Sequence, residues 1–311
     1  MEADALTRGL LFLSLAVTGV PGNAAVIWAF LSLAFLEARL APADAILLHL
    51  ASANLAVVGV RCPLEVLATF GIHNMFQDSG CKAVIFIYRT ARSLSIWLTC
   101  VLSVFQSLSV APPGSGWAGV RSLLGRALGW VFLALWVINS SMSVAPLMFA
   151  VRARNDSTLL QNSINVEFCF LSFPSRLSRD INGAAQVARD AVPMALMASA
   201  SLVLLVFLLR HSRRKAGAGL SADRRAALSV VMLVSLYLLF YGVDNGLWVY
   251  TLTVPQTLGS SLVSDLRIFF SSLYAAVSPI VIIASNRKVG RRARDALRCF
   301  GATSGHGNDK T

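Results

Sequence analysis

The stretch AVPMALMASASLVLLVFLL, residues 191–209, decides the fold class, because it contains nineteen consecutive residues without a charged side chain. At a helical rise of about 1.5 Å per residue, a helix of this length crosses the hydrocarbon core of a bilayer. The basic run RHSRRK, residues 210–215, follows directly. An apolar helix that ends in clustered positive charge is typical of a membrane span whose end faces the cytoplasm.

Six further apolar stretches of comparable length lie on either side of this span. They cover residues 9–36, 45–70, 81–110, 124–150, 226–254 and 262–285. Only 14% of the 311 residues are charged, whereas a soluble domain would carry about 25%. We therefore expect an all-α membrane protein, with a seven-transmembrane-helix bundle in residues 1–285 and a cytoplasmic tail in residues 286–311.

The distribution of the basic residues predicts the orientation of the bundle. Of the 27 Lys and Arg residues, 16 fall on the side of residues 210–225 and the tail, and nine fall on the other side with nine of the 15 acids. The remaining two, Arg89 and Arg92, lie inside the third span. This asymmetry is the positive-inside pattern, so the N-terminus is expected outside. It explains the net charge of +12 without a nucleic-acid partner. No basic region precedes the first span, which we expect to act as an uncleaved signal anchor.

The longest predicted outer loop, residues 151–190, carries two features of an oxidising compartment. Asn155 begins an N-glycosylation sequon, Asn-Asp-Ser. Cys169 lies in the same loop, and Cys81 lies at the outer end of the third span, so a disulfide between them is expected. The alternative is that Cys169 is a free thiol. A second sequon at Asn139 falls inside the fourth span, where glycosylation is not expected.

The tail contains a basic amphipathic segment, residues 289–300, and Cys299 lies at its end. Its arginines suit anionic lipid headgroups, and Cys299 is a candidate for palmitoylation.

No catalytic, metal or cofactor site can be assembled from the sequence. The four histidines are scattered and show no metal-ligand spacing, and a Gly-rich phosphate loop, a nucleophile elbow and an intramembrane carboxylate pair are all missing. Residues 262–285 contain no lysine, which an opsin needs for its retinal Schiff base. We therefore expect a protein that is not an enzyme and holds no metal or cofactor.

Polar and ionisable side chains at membrane depth are the candidate ligand-binding residues, because such groups are rare in spans without a function. They are Glu65 in the second span, Tyr88, Arg89 and Arg92 in the third, and Tyr241, Asp244 and Asn245 in the sixth. Arg89 and Arg92 could present a guanidinium fork to a carboxylate, sulfate or phosphate. Alternatively, Glu65 or Asp244 neutralises one of them and the pair only holds helices together. Asn23 and Asn54 are expected to form interhelical hydrogen bonds.

Several blocks resemble the vomeronasal type-1 receptors and the related fish olfactory class A-like receptors. The blocks are LLHLASANL (residues 47–55), Cys81-Lys82, Tyr88-Arg89, ARSLSI (91–96), TCVLSVFQS (99–107) and SPIVI (278–282). The resemblance extends over essentially the whole chain. The block FQS (105–107) stands where rhodopsin-like receptors carry an acid-Arg-aromatic triplet, so no ionic lock of the usual kind can be assigned.

The resemblance implies a pheromone or odorant receptor in the plasma membrane of chemosensory neurons, coupled to an inhibitory-type heterotrimeric G protein. We expect a small, anionic molecule to bind within the bundle beneath the outer loop. Gln106, Arg213, Arg214 and Lys215 are the expected G-protein contacts. Alternatively, the three basic residues reflect only the positive-inside topology and need no partner. Two alternatives stay open: a bitter-taste-like receptor, which usually lacks the outer cysteine pair, and a small-molecule transporter, which would need discontinuous helices and a continuous polar pore.

Overall fold

A computed structural model describes residues 3–37, 40–72, 76–110, 116–152, 163–165, 169–214, 222–253, 261–286 and 289–292. In these ranges, seven helices are long and apolar enough to cross a membrane, which confirms the predicted bundle. The elements are α1 (Ala3–Glu37), α2 (Pro42–Thr69), α3 (Asp78–Val110), α4 (Gly116–Met148), β1 (Ala150–Arg152), β2 (Ser163–Asn165), β3 (Cys169–Ser172), α5 (Arg176–Arg214), α6 (Ala222–Thr253) and α7 (Ser261–Ser285).

Helix α5 begins at Arg176, fifteen residues before the predicted start of the fifth span. The sequence places residues 176–190 in a loop because they are rich in charge. In the structure these residues form a helix, and Gln186, Arg189 and Asp190 are buried against the neighbouring helices. The predicted outer loop is therefore shorter than residues 151–190, and two charged residues that were assigned to it belong to the bundle.

Helix α3 occupies the centre of the bundle and contacts α2, α4, α5 and α6. In the apolar part of α3 that is long enough to cross a membrane, 61% of the residues are buried, compared with 22% in the corresponding part of α4. Large apolar side chains on the periphery, such as Phe35 and Trp130, are exposed, as expected for surfaces that face lipid. Helices α1 and α7 approach closely at Gly19, where an added Cβ would lie 3.0 Å from the Ala276 Cα. Because α3 is central, its side chains are the ones best placed to contact several other helices at once.

Hydrogen bonds between helices cross the buried middle of the bundle. The Asn54 side chain on α2 donates to Ser278 Oγ on α7 (2.8 Å) and accepts from Ser95 Oγ on α3 (2.6 Å). The Asn23 amide on α1 donates to the Ala275 carbonyl on α7 (2.9 Å). The interhelical role expected for Asn23 and Asn54 is therefore confirmed.

One end of the bundle is covered by a small antiparallel sheet in the order β1-β3-β2. The predicted disulfide joins Cys81, near the start of α3, to Cys169, the first residue of β3, and both cysteines are fully buried. The sequence predicted no strands here, because segments of three or four residues show too little alternation to be recognised. We call this part of the molecule the disulfide end.

Candidate functional site

Arg92 of α3 is the centre of an ionic cluster near the disulfide end. Its guanidinium donates to Asp190 on α5 through Nη1, at 2.6 Å, and to Asp244 on α6 through Nη2. The Arg92 side chain is 5% exposed, and both carboxylates are buried. Its Cζ also lies 5.0 Å from the centre of the Tyr241 ring. A planar fork with two donor pairs suits such a bridge, so one side chain ties three helices together.

Two further arginines share the same carboxylates. Arg189 Nε lies 3.2 Å from the second oxygen of Asp190, and Arg267 Nε on α7 lies 3.3 Å from the second oxygen of Asp244. The Arg267 guanidinium also stacks over Trp248, with 4.1 Å between Cζ and the ring centre. The cluster thus extends to α7 and places three guanidinium groups around two carboxylates.

Glu65 does not neutralise either of the two predicted arginines. It pairs with Arg61 on its own helix, with 2.7 Å between Nη2 and Oε1, and both side chains are almost fully buried. Arg61 is one of the nine basic residues that the sequence pattern places on the outer side. In the structure it lies inside the bundle, with Cζ 5.7 Å from the centre of the Tyr88 ring. The Tyr88 hydroxyl in turn shares a 2.9 Å hydrogen bond with Ser271 on α7. Glu65 therefore stabilises α2 rather than the Arg92 cluster.

A cavity of about 90 Å³ lies between the cluster and the small sheet. Its apolar walls come from side chains of α3, α6 and α7 and from Leu171 of β3. The remaining walls are polar and are dominated by arginine. The cavity is lined by Arg61, Val84, Ile85, Tyr88, Arg89, Arg92, Leu171, Gln186, Arg189, Asp244, Trp248, Ser264, Arg267 and Ile268. Because the disulfide fixes β3 to α3, it also fixes Leu171 in the cavity wall.

Arg89 lines this cavity one helical turn from Arg92, but its environment differs. In the part of the chain that the structure describes, Arg89 makes no ion pair and no hydrogen bond, and its Nε is buried without a partner. Arg92, in contrast, is saturated by two carboxylates. The sequence left open whether these arginines pair internally or bind a ligand. Arg92 is paired internally, whereas Arg89 retains free donors.

The cavity wall carries more positive than negative charge. Five arginines line it, and in the described ranges the carboxylates paired with them are Glu65, Asp190 and Asp244. The formal excess is two positive charges. A concave, mainly apolar site with convergent guanidinium donors can bind a small molecule that carries an acidic group.

The remaining predicted ligand residues lie outside the cavity wall. Tyr241 is fully buried beneath Arg92 and stacks on Tyr237, with 4.2 Å between ring centres. Asn245 donates to the Tyr241 carbonyl of its own helix at 2.9 Å. Tyr88, Arg89, Arg92 and Asp244 do line the cavity. The sequence missed four ionic residues of this region: Arg61, Arg189, Asp190 and Arg267.

The opposite end of the bundle carries the residues predicted to contact a G protein. Gln106 is half-buried near the end of α3, and Arg213 and Arg214 form the end of α5. Helices α3 and α5 are joined there by Ser107, whose hydroxyl donates to the Ala200 carbonyl at 2.7 Å. Lys215, Asn155 and Cys299 lie outside the described residues, as does most of the segment 289–300.

Comparisons with known proteins agree over almost the full length of the chain. The profile of the vomeronasal organ pheromone receptor family matches residues 6–294. The chain is 41% identical over 297 residues to olfactory receptor class A-like protein 1 of Danio rerio, covering 94% of this chain and 93% of that protein. It is 26% identical over 298 residues to vomeronasal type-1 receptor 1 of Gorilla gorilla gorilla, covering 94% of this chain and 83% of the relative.

Proposed function

The chain belongs to the vomeronasal organ pheromone receptor family, and on that premise we propose that it is a G-protein-coupled receptor for small anionic odorants or pheromones. It is a multi-pass membrane protein of a chemosensory receptor family, and that family consists of receptors rather than enzymes. The ligand class, its site and the coupled G protein are the proposed parts.

The observation that supports an anionic ligand is the unpaired guanidinium of Arg89 in the wall of the cavity. A carboxylate, sulfate or phosphate would accept charge-assisted hydrogen bonds from Arg89, while Tyr88 and Trp248 would contact its apolar body. Arg92 and Asp244 are assigned to the scaffold that positions this wall. Glu65, Tyr241 and Asn245 are assigned to packing around the site rather than to contact with the ligand.

Ligand binding can alter the bundle through the shared carboxylates. Arg189 and Arg267 each pair with a carboxylate that Arg92 also holds. An acidic ligand that attracts Arg267 or Arg189 would weaken these contacts among α3, α5, α6 and α7. The ligand would then favour whichever arrangement of these helices it binds more tightly. This gives an activation route without the acid-Arg-aromatic triplet of rhodopsin-like receptors.

We propose that the disulfide end faces the outside of the plasma membrane of chemosensory neurons, with Asn155 glycosylated. The opposite end would then face the cytoplasm, where Gln106, Arg213, Arg214 and Lys215 contact an inhibitory-type G protein. Residues 286–311 would form the cytoplasmic tail, with Cys299 as its palmitoylation site and the adjacent arginines on anionic lipid. The positive-inside distribution of basic residues supports this orientation.

The alternatives are weaker on specific grounds. A bitter-taste-like receptor usually lacks a cysteine pair such as the one that joins Cys81 to Cys169. A transporter would need a continuous polar pore, whereas below the cavity the described residues form a tightly packed layer that includes Tyr237, Tyr241 and Tyr274. Repeated halves of the kind found in many transporters are not visible in the sequence.

Coupling is tested by nucleotide exchange on purified G proteins added to membranes that contain the tagged receptor. We expect an odorant panel of organic acids to accelerate exchange on an inhibitory-type G protein but not on a stimulatory type. The triple variant Arg213→Gln, Arg214→Gln, Lys215→Gln should reduce that exchange at equal surface level, with Arg126→Gln as a control for charge removal at an exposed position. Flux of a labelled acid without any nucleotide exchange would favour the transporter instead.

A further inference from the structure

In the described part of the chain, the arginines that line the cavity outnumber the carboxylates paired with them by two. We propose that the unliganded receptor holds a halide-sized inorganic anion against Arg89, and that the acidic ligand displaces this ion when it binds. The inference rests on the proposed function only for the displacement; the resident anion stands on the charge and geometry of the cavity.

Unbalanced charge is costly to bury. Moving an isolated ion from water into a protein interior is strongly unfavourable, even after the protein relaxes. Many buried groups avoid this by changing protonation state, but a guanidinium does not lose its proton in proteins. The two excess charges of the arginine wall therefore favour an anion from outside the set of described carboxylates.

The contacts of the five arginines locate the ion. Arg61 pairs with Glu65, and Arg92 pairs with both Asp190 and Asp244. Arg189 and Arg267 each retain one carboxylate contact. Arg89 has none in the described ranges, and its Nε is buried without a hydrogen-bond acceptor. An anion is therefore expected to bind next to Arg89. Arg189 and Arg267 are the further cations of the same cavity wall.

The size of the cavity suits a small anion. Its volume of about 90 Å³ has room for a chloride-sized ion and several waters, since a cavity volume of about 10–15 Å³ is enough to hold one water. Gluconate carries five hydroxyl groups, whose desolvation against mainly apolar walls is costly, so we expect it to bind much more weakly than chloride. Polar partners for waters around the ion are available from Gln186 and Ser264. The expected preference for chloride over gluconate provides the probe.

The test uses the full chain in lipid nanodiscs, with sodium chloride exchanged for sodium gluconate at constant ionic strength. Two quantities are measured: the melting temperature and the chloride NMR line width, which broadens when chloride exchanges with a protein site. We expect saturating chloride to raise the melting temperature by roughly 2–4 °C. We also expect excess line broadening that bromide or nitrate removes by competition.

Three variants separate a site at Arg89 from a general salt effect. Arg89→Gln should lose both the chloride-dependent stabilisation and the line broadening, whereas Arg89→Lys, which keeps the charge, should retain most of both. Arg126→Gln removes one exposed positive charge at the opposite end and should behave as the wild type. Equal chloride effects in the wild type and Arg89→Gln would overturn the proposal, as would no chloride effect in the wild type.

Displacement is read from activation by an acidic agonist in nucleotide exchange. Raising chloride should increase the agonist concentration for half-maximal response by the factor 1 + C/Kd, where C is the chloride concentration and Kd is the dissociation constant of chloride, without lowering the maximum. A chloride-independent response would overturn the displacement. Chloride binding in a protein that activates no G protein would support the resident ion and contradict only the proposed function, so the two failures are distinguishable.

Discussion

The guanidinium of Arg92 on α3 lies 2.6 Å from the carboxylate of Asp190 on α5 and simultaneously donates to Asp244 on α6. These contacts assign different roles to two arginines that lie one turn apart. The donors of Arg92 bind the two carboxylates that hold the helices together, whereas Arg89 lines the cavity with unpaired donors. A single helix thus supplies both the bridge that fixes the site and the group that is free to bind a ligand.

Removing Arg92 should destabilise the whole bundle. Arg92→Gln removes the shortest ion pair of each of two buried carboxylates, which then keep only their longer contacts with Arg189 and Arg267. Breaking buried ion pairs in this way costs about 3–5 kcal/mol. We expect a clearly lower melting temperature of the purified receptor and reduced surface expression. Arg92→Lys should be intermediate, because an ammonium keeps the charge but cannot fork to two carboxylates in a fixed plane.

The same cluster predicts that two of its substitutions are not additive. In Arg92→Gln, Asp244 keeps only its contact with Arg267, so the further change Asp244→Asn should cost less than it does in the wild type. The double variant should therefore lose less stability than the sum of the two single losses. Arg126→Gln, at an exposed position, is the control for charge removal. Strict additivity of the two changes, or wild-type stability of Arg92→Gln, would show that Arg92 is not the bridge described above.

The disulfide between Cys81 and Cys169 should stabilise the protein, because it fixes the small sheet over the cavity. Cys81→Ser, Cys169→Ser and the double variant should lose similar amounts of stability, about 2–5 kcal/mol, because each change breaks the same bond. Thermal unfolding with and without a reductant measures this. A double variant that loses about twice as much as either single variant would mean that the two cysteines act separately.

Asn54 should stabilise the middle of the bundle through its two interhelical hydrogen bonds, to Ser95 and Ser278. Asn54→Leu should cost about 1–2 kcal/mol, the range measured for polar contacts between membrane helices. The matched control on the same helix is Ser52→Ala, since the exposed Ser52 hydroxyl bonds only the Leu48 carbonyl of its own helix. Equal stability of the two variants in thermal unfolding would contradict the role assigned to Asn54.

Glycosylation tests the orientation of the bundle. If the disulfide end is outside, Asn155→Gln should abolish the mobility shift that glycosidase treatment produces in the wild type. Ser141→Ala removes the second sequon without touching Asn139, which is buried in α4, and should leave the shift unchanged. A shift that depends on Ser141, or an N-terminal epitope accessible only after permeabilisation, would contradict the proposed orientation.

The spans were predictable from the sequence because an uncharged run such as residues 191–209 is a local signal that needs no tertiary information. The start of α5 was not, because Arg189 and Asp190 lie in a charged stretch, and only their contacts with other helices show that they are buried. The strands of three or four residues were too short to be recognised from a pattern.

The candidate site was predictable only in part for a related reason. Arg89, Arg92 and Asp244 stood out as charges inside apolar spans, but their partners depend on how the helices pack. Arg61 and Glu65 are four residues apart, a spacing at which opposite charges on a helix meet, so this pair was visible in principle. The contact of Arg267 with Asp244, between α7 and α6, had no sequence signal.

The most direct test of the account compares acidic odorants with their neutral methyl esters in agonist-dependent nucleotide exchange, using wild type, Arg89→Gln and Arg89→Lys at equal surface level. A hydrogen bond to a charged group contributes about 1.5–3 kcal/mol. We therefore expect that acids activate the wild type, that Arg89→Gln needs roughly 10- to 100-fold more of the same acid, and that Arg89→Lys is less impaired. Activation by neutral esters that is as strong as activation by acids, and unchanged in Arg89→Gln, would contradict charge-paired recognition at this site.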